Sequence, residues 1–176
     1  TEAFFENPTG HMDTIKCGPW NFGGSTLLLG DAAHAIVPFF GQGANCGFED
    51  LTELDRCFTE MGVNASNSTP GAGNHSDLEA LFTELVKRRK NNCDAIADMA
   101  VENFTEMRDK VSDPRFLMGK AVEKVLEKSF PGEYRSRYSL VTFSNAPYTV
   151  AQAVGNASDQ ILATLTQNIE KPEQVD

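Results

Sequence analysis

The residues with the greatest chemical potential lie together in residues 29–50, which read LGDAAHAIVPFFGQGANCGFED. Asp31 follows the short apolar run 25–29, and that run predicts a buried strand that delivers a loop to a site. Open α/β sheets bind ligands at the carboxyl ends of their strands. Asp31 could therefore accept hydrogen bonds from ligand hydroxyls, while the small residues Ala32 and Ala33 would let a ligand lie against the backbone.

A glycine turn, Gly41-Gln42-Gly43, comes shortly afterwards and precedes a predicted helix. Glycine permits unusual backbone dihedrals and a close approach of the backbone to a ligand. The N–H groups at the start of a helix, together with the positive end of its dipole, favour negative charge. Such a turn suits an electron-rich ring system that becomes anionic on reduction. Taken alone, a glycine turn before a helix is usually only a turn, and Gly-Asp-x-x-His occurs in many unrelated proteins.

The elements that must position these groups follow from the hydrophobic periodicity. Residues 13–22 have loose strand character, with aromatic residues on alternate positions near the end. Residues 63–76 are small and polar, which predicts a flexible surface loop. Before this loop, a helix is predicted from about residue 44 to residue 61. Its apolar side chains recur every three or four positions, at Phe48, Leu51, Leu54 and Phe58.

The second half of the chain predicts three further helices. Ser76 and Glu79 form a capping box at the start of a helix of about 30 residues. Asp113-Pro114 begins the next helix, and the last one runs from Pro147 to about Ile169. Residues 140–143, LVTF, are predicted as a short strand or extended segment.

Composition excludes several classes of function. The 176 residues carry 15 basic and 25 acidic side chains, a formal charge of −10, so no nucleic-acid partner is expected. The one basic cluster, residues 87–90, is predicted to be a solvated helix face. The four cysteines have neither C-x-x-C spacing nor histidines at zinc-finger distances, which predicts reduced, buried thiols and no metal site. No apolar run reaches the roughly 18 residues of a membrane span.

The combination of the two motifs resembles the second flavin-contacting motif of the single-component FAD-dependent aromatic hydroxylases, the family that includes p-hydroxybenzoate hydroxylase. In that family G-D-A-A-H is followed by Pro, by G-x-G-x-N and by Asp. The corresponding positions here are Gly30 to His34, Pro38, Gly41, Gly43, Asn45 and Asp50.

The resemblance implies an α/β (α+β) fold. Residues 1–62 would be the C-terminal part of an FAD/NAD(P)-binding Rossmann-like domain of the p-hydroxybenzoate hydroxylase type. Residues 63–76 would be a loop, and residues 77–176 a helical C-terminal region that contributes to the substrate pocket. The dinucleotide fingerprint G-x-G-x-x-G is absent from these residues, so we expect the segment alone to be inactive and not to bind FAD tightly.

The resemblance also implies the contacts to FAD. Asp31 would bind the ribityl chain, and His34 would mostly fix the loop, with a proton-transfer role left open. Backbone groups of Gly41 to Asn45 would stabilise negative charge near the pyrimidine edge of the ring. The implied cofactor-binding residues are Gly30, Asp31, Pro38, Gly41, Gln42, Gly43, Ala44 and Asn45.

The segments 101–111 and 130–144, together with PFFGQG, resemble the branch of this family that hydroxylates L-kynurenine. Asn103 lies on the apolar side of the long helix, where a buried amide needs a partner. A packing amide satisfied by neighbouring backbone is the alternative interpretation. By resemblance, Asn103 and Tyr138 would bind the amino-acid end of L-kynurenine, and Phe39 and Phe40 would line the aromatic pocket or pack in the core.

Glu106 and Arg108 lie close to Asn103 along the same helix, and we expect them to form an ion pair behind the substrate rather than to bind it directly. In the family, NADPH reduces bound FAD, which reacts with O2 to a C4a-hydroperoxide and transfers one oxygen atom to the ring. The product here would be 3-hydroxykynurenine.

Two other functions stay open: a related hydroxylase that acts on a phenol or quinone precursor, and a non-catalytic flavin-fold module. In eukaryotic members the expected location is the cytosolic face of the mitochondrial outer membrane, through segments not present here, and otherwise the cytoplasm. The oligomeric state is not predicted.

Overall fold

The longest element of the computed structural model is the helix α4 (His75–Thr105), and its most extensive contacts are with the helices over Gly43–Met61 and Tyr148–Leu165. The structure describes residues 2–63, 75–167, 169–171 and 174. Before α4 come the helix α1 (Glu2–Glu6), the strands β1 (Asn21–Phe22) and β2 (Thr26–Leu27), and the helices α2 (Asp31–His34) and α3 (Gly43–Met61). After it come α5 (Pro114–Ser129), α6 (Arg137–Phe143) and α7 (Tyr148–Leu165).

The described part of the chain is mostly helical, with one small sheet. β1 and β2 form an antiparallel hairpin, in which Asn21 pairs with Leu27 and Phe22 with Thr26. The Leu28 N–H extends this pairing by donating to the Trp20 carbonyl over 2.7 Å. A short 3-10 turn (Pro38–Phe40) precedes α3, and a π-helical turn (Glu106–Lys110) continues α4.

The predicted buried strand over 25–29 is wrong in length and in burial. Only Thr26 and Leu27 are in strand conformation, and Leu27 to Leu29 are half-buried. Within the described residues the sole pairing partner is the two-residue strand β1, so one edge of β2 is not covered by another strand. The loose strand predicted over 13–22 likewise shrinks to Asn21–Phe22.

The helix predictions for α3, α4 and α5 are confirmed, with shifts at their ends. α4 begins at His75, so Ser76 lies inside the first turn and not at the capping position predicted for it. Asp113 does cap α5, because its side chain accepts a hydrogen bond from the Arg115 backbone N–H. α7 begins after Pro147 as predicted but ends at Leu165, before the expected residue 169.

The prediction of a strand or extended segment over 140–143 is wrong, because these residues form most of the helix α6. The Ser136 side chain accepts from the Ser139 backbone N–H and caps the helix at its start. Val141 is the buried residue of α6 and packs in the main core. A short apolar run is compatible with either element, and here the cap and the packing decide.

The main core lies between α4 and the segments before and after it. Its buried members are Trp20, Ala33, Cys46, Cys93, Ala95, Ile96, Met99, Val141, Tyr148 and Ala151. A second cluster of Cys57, Leu81 and Leu85 joins α3 to the start of α4. The apolar stripe predicted for α3 is only partly buried, since Phe48 and Leu51 are exposed.

The predicted loop 63–76 falls largely outside the described residues, which resume at His75. The domain boundaries therefore stay a prediction. Across the described ranges, no helix combines the length and the apolar character that crossing a membrane requires.

Candidate functional site

The loop that begins at Gly30 is tied to α3 through one buried carboxylate. Asp50 is fully buried on α3, and its Oδ2 accepts the Gly30 backbone N–H over 3.0 Å. The same oxygen lies 2.6 Å from Nε2 of His34, which is also buried. The His34 ring packs against Trp20, with ring centroids 5.1 Å apart. Asp50 therefore fixes both ends of the turn that carries Asp31.

Arg89 on α4 completes this network. Its Nε donates to Asp50 Oδ1 over 2.8 Å, its Nη1 to Glu49 Oε2 over 2.8 Å, and its Nη2 to the Cys46 carbonyl over 3.1 Å. The prediction that residues 87–90 form a solvated face is wrong for Arg89, which is only 4% exposed. A buried guanidinium is tolerated because each of its polar groups has a partner.

Burial by itself would lower the pKa of His34, but its hydrogen bond to Asp50 and its contact with Cys46 outweigh burial and raise the pKa to about 10. Burial would raise the pKa of Asp50, yet the hydrogen bonds from His34, Gly30 and Arg89 outweigh it and hold that pKa below its usual value. At neutral pH His34 is thus a cation beside a buried carboxylate. This supports a role in fixing the loop over a role in proton transfer.

Stability is expected to fall as the pH rises from about 6.5 to 10 because of His34. Its folded-state pKa is raised above the unfolded value of 6.5, so the stabilisation is complete below pH 6.5 and disappears as the pH passes about 10. The slope for one proton is at most about 1.4 kcal/mol per pH unit. Urea denaturation across this pH range measures the change in the free energy of unfolding, with His34→Gln as the control. An equally steep pH dependence in the variant would contradict the prediction.

The glycine turn exposes backbone at the start of α3. Gly41 has φ 65° and ψ 25°, in the left-handed region that favours glycine. The Gln42 side chain points inward, where its Oε1 accepts from Tyr148 Oη over 3.2 Å and from Asn45 Nδ2 over 3.0 Å. The first turn of a helix has no intrahelical acceptors for its N–H groups. Of the residues in that turn, Ala44 is exposed and Gly43 is half-buried.

The contacts of Asp50 place the glycine turn and Asp31 in the same region. Gly30 lies against α3 at Gly47, where an added Cβ would meet the Gly30 Cα at 3.7 Å. Gly47 lies one helical turn, about 6 Å, along the axis from the first residue of α3. Asp31 is exposed, and among the described residues its carboxylate has no hydrogen-bond or ion-pair partner. Pro38 is also exposed, in the segment between the two motifs.

A cavity of about 430 Å³ contains three of the four predicted substrate residues, Phe40, Asn103 and Tyr138. The rings of Phe40 and Tyr138 are stacked with centroids 6.3 Å apart. Asn103 Nδ2 donates to the Phe39 carbonyl over 2.7 Å, so one side of the amide is satisfied by backbone. The Phe39 ring packs on Phe104 with centroids 4.6 Å apart and does not line the cavity.

The expected ion pair between Glu106 and Arg108 is wrong. Arg108 pairs with its neighbour Asp109 over 2.6 Å, while Glu106 lies 3.9 Å from Lys120. Arg108, Asp109 and Glu106 all lie in the π-helical turn Glu106–Lys110.

Sequence reasoning missed the buried ion pair and part of the cavity wall. In the sequence, Asp50 is only one position of the flavin-contacting motif, and Arg89 is one of several consecutive basic residues. Arg137 and Glu123 also line the cavity, and Arg137 is held by Glu102 at 2.7 Å and Asp159 at 2.8 Å. A basic residue one helical turn from a core cysteine is the sole signal that the sequence offers for Arg89.

A family model described as an FAD binding domain matches residues 4–68. Kynurenine 3-monooxygenase of Myxococcus xanthus (strain DK1622) is 56% identical over 175 residues, covering 99% of this chain and 35% of that protein. Kynurenine 3-monooxygenase of Dictyostelium discoideum is 48% identical over 179 residues, covering 99% of this chain and 39% of that protein.

A third relative, kynurenine 3-monooxygenase of Flavobacterium johnsoniae (strain UW101), is 42% identical over 159 residues, covering 90% of this chain and 33% of that protein. The chain thus spans about a third of the length of these curated relatives. Its helices and small sheet fit a section of an α/β flavoprotein. By sequence, the chain is similar over nearly its whole length to one section of kynurenine 3-monooxygenases, and its residues 4–68 match the model of an FAD binding domain.

Proposed function

We propose that this chain supplies part of the flavin site and part of the substrate site of an FAD-dependent, NADPH-driven monooxygenase that hydroxylates L-kynurenine. The observation that carries the proposal is the placement of the two motifs. The Asp50 network holds the loop of Asp31 beside the exposed first turn of α3. The match to an FAD binding domain over residues 4–68 includes both motifs.

The described residues fit FAD chemically. Gly41, in the left-handed region, lets the backbone turn without a side chain between it and a flat ring. The Asp31 carboxylate is free to accept hydrogen bonds from hydroxyl groups, which the ribityl chain provides. The fold we propose is accordingly the Rossmann-like flavin-binding type of p-hydroxybenzoate hydroxylase. FAD, when bound and reduced by NADPH, supplies the oxygen-activating chemistry for transfer of one oxygen atom to an aromatic ring.

The protein's own groups bind, orient and stabilise charge. Asp31 would accept hydrogen bonds from ribityl hydroxyls and so set the position of the cofactor along the loop. The N–H groups of Gly43, Ala44 and Asn45, with the positive end of the α3 dipole, would stabilise negative charge on the pyrimidine edge. Pro38 would border the space between cofactor and substrate. None of these groups needs to exchange a proton.

The cavity beside Phe40 suits an aromatic amino acid. Phe40 and Tyr138 supply ring surface, and a ring in that position would contact both. The Asn103 Oδ1 has no hydrogen-bond partner among the described residues, so it can accept from an ammonium group. The Arg137 guanidinium lines the same cavity but is occupied by Glu102 and Asp159, so we do not assign it to the substrate carboxylate.

Tyr138→Phe is expected to raise KM for L-kynurenine about five- to tenfold, because one hydrogen bond to the substrate contributes about 1 kcal/mol. Tyr138 is 56% exposed, so loss of its hydroxyl leaves the fold intact. The measurement is NADPH oxidation by the intact protein as a function of L-kynurenine concentration. Tyr134→Phe removes the same hydroxyl from a tyrosine outside the cavity lining and serves as the control.

Two results of this experiment would contradict the proposal. If L-kynurenine fails to accelerate NADPH oxidation and a phenol does so, the substrate belongs to another branch of the hydroxylases. If KM is unchanged in Tyr138→Phe and raised in Tyr134→Phe, the substrate does not occupy the cavity beside Phe40.

A further inference from the structure

Two buried cysteines from different helices lie in contact, and the proposed function uses neither of them. Cys46 lies on α3 and Cys93 on α4, and both are fully buried free thiols. Their Sγ atoms are 3.4 Å apart, close enough for an S–H···S hydrogen bond. We call Cys46 and Cys93 the dithiol.

Cations surround one member of the dithiol. Arg89 Nη2 lies 3.4 Å from Cys46 Sγ and 3.6 Å from Cys93 Sγ, and His34 Nδ1 lies 3.8 Å from Cys46 Sγ. The hydrogen bond shared with Cys93 outweighs burial and, with His34 and Arg89, holds the pKa of Cys46 below its usual value. The same hydrogen bond, together with burial, raises the pKa of Cys93.

Arg89 lies nearer to Cys46 than to Cys93, and His34 contacts Cys46, so a negative charge on the pair is stabilised best at Cys46. Thiolates, and not thiols, are the nucleophiles in oxidation, so Cys46 is the reactive member and Cys93 is the proton-bearing neighbour beside it. Asp50 and Glu49 also face this cluster and hold Arg89 and His34 in place, and Tyr148 packs on its far side.

His34, Cys46 and Cys93 also present three atoms within 4.8 Å of one another, which raises the question of a metal ion. Arg89 argues against this interpretation. Its guanidinium is permanently charged, contacts both sulfur atoms and is fixed by Asp50 and Glu49. A metal cation among these ligands would face that charge at close range, whereas a neutral disulfide would add no positive charge to the cluster.

We propose that Cys46 and Cys93 are a modification site, at which hydrogen peroxide forms a reversible disulfide between α3 and α4. The Cys46 thiolate attacks one peroxide oxygen, the O–O bond breaks, and the leaving hydroxide takes up a proton to become water. The Cys93 sulfur then attacks the sulfur of the resulting sulfenic acid and releases a second water molecule. Overall, two thiols lose two electrons and two protons, and one peroxide is reduced to two waters.

The geometry permits this with small movements. A disulfide requires an S–S distance of about 2.05 Å, so the two sulfur atoms must approach by about 1.4 Å. Glu49, whose side chain is 47% exposed, pairs with Arg89, and Arg89 contacts both sulfur atoms, so these two side chains connect the dithiol to the surface. Oxidation therefore requires hydrogen peroxide to pass beside them. Cys46 directly follows Asn45, so the cross-link would fix α4 to the beginning of α3.

Peptide mapping of the intact protein tests this proposal. After treatment with hydrogen peroxide and blocking of free thiols, trypsin releases Cys46 within residues 17–56 and Cys93 within residues 91–108. We expect these two peptides to be joined with the loss of two hydrogens, in most of the protein, and to separate on reduction with dithiothreitol. Cleavage before Asp31 separates Cys17 from Cys46 and shows which cysteine carries the link.

The variants make the result specific. Cys46→Ser and Cys93→Ser should each abolish the link, and Cys57→Ser, which removes a buried thiol from the second core cluster, should leave it at the wild-type level. Circular dichroism checks that each variant is folded, and Cys93→Ala is the substitute if the serine variant is not. Two outcomes would overturn the proposal: Cys46 and Cys93 stay free thiols at peroxide concentrations that oxidise Cys17, or Cys46 advances to sulfinic acid without linking to Cys93.

Discussion

Replacement of Asp50 by alanine is expected to lower the free energy of unfolding by about 3–5 kcal/mol. Asp50 is fully buried and accepts from Gly30, His34 and Arg89. Without it, His34 can release its proton at neutral pH, but Arg89 cannot, so a buried guanidinium remains beside the core with the half-exposed Glu49 as its one carboxylate partner among the described residues. Urea denaturation of the chain, followed by the fluorescence of its one tryptophan, Trp20, measures the loss next to the altered site.

Glu49→Gln is the matched control, because it removes the other carboxylate that contacts Arg89 over the same 2.8 Å distance. The Glu49 side chain is 47% exposed, so water replaces the lost interaction and the expected loss is below about 1 kcal/mol. Equal losses of unfolding free energy in Asp50→Ala and Glu49→Gln would contradict the prediction. They would show that the burial of Asp50 does not increase the contribution of its ion pair to stability.

Replacement of Asp31 by alanine is expected to weaken FAD binding by the intact protein about 10- to 100-fold. A hydrogen bond to a charged group contributes about 1.5–3 kcal/mol, and each 1.4 kcal/mol corresponds to about a factor of ten in Kd. Asp31 is exposed and has no partner among the described residues, so its removal should leave the free energy of unfolding almost unchanged. Titration of the apoprotein with FAD, followed by flavin fluorescence, measures Kd.

The control for this variant is Asp55→Ala, which makes the same change of charge on an exposed residue of α3. Asp55 lies 12 residues beyond Gly43, about 18 Å along the helix, so FAD binding should be unaffected. A similar loss of affinity in both variants would mean that the general negative charge of the chain, and not a contact from Asp31, governs binding.

The helices could be predicted from the sequence because their signals are local and repeated. The stripe through Leu81, Leu85, Ile96 and Met99 defines α4, and each of these side chains is buried. Asp113 followed by Pro114 marks the start of α5 through the cap that the structure contains. Within a single helix, this pattern repeats often enough for the helix to be recognised from the sequence.

Features that depend on contacts between distant segments could not be predicted in this way. Arg89 stands in a run of four basic residues, and only its position opposite Asp50, 39 residues earlier, makes it a buried ion-pair partner. The segment LVTF has the composition of a strand but becomes α6 through the Ser136 cap and the burial of Val141. The run 25–29 has the composition of a buried strand, yet burial depends on neighbouring strands that the run itself does not encode.

The same distinction between local signals and long-range contacts applies to the candidate site. The residue types of Asp31 and the glycine turn indicate a flavin site, and they follow one another along the chain in the order of the flavin-contacting motif. Their closeness in space depends on Asp50, His34 and Arg89, whose contacts cross from the loop to two helices. Sequence reasoning therefore proposes groups that would contact the ligand, but it misses the groups that hold them in position.

The most direct test of the account is an experimental structure of the intact protein with FAD bound. The account predicts an Asp31 carboxylate oxygen within hydrogen-bond distance, about 2.5–3.0 Å, of a ribityl hydroxyl. It also predicts that the pyrimidine edge of the ring faces the N–H groups of Gly43 to Asn45. A flavin bound elsewhere, with Asp31 in solvent and the first turn of α3 distant from the ring, would contradict it.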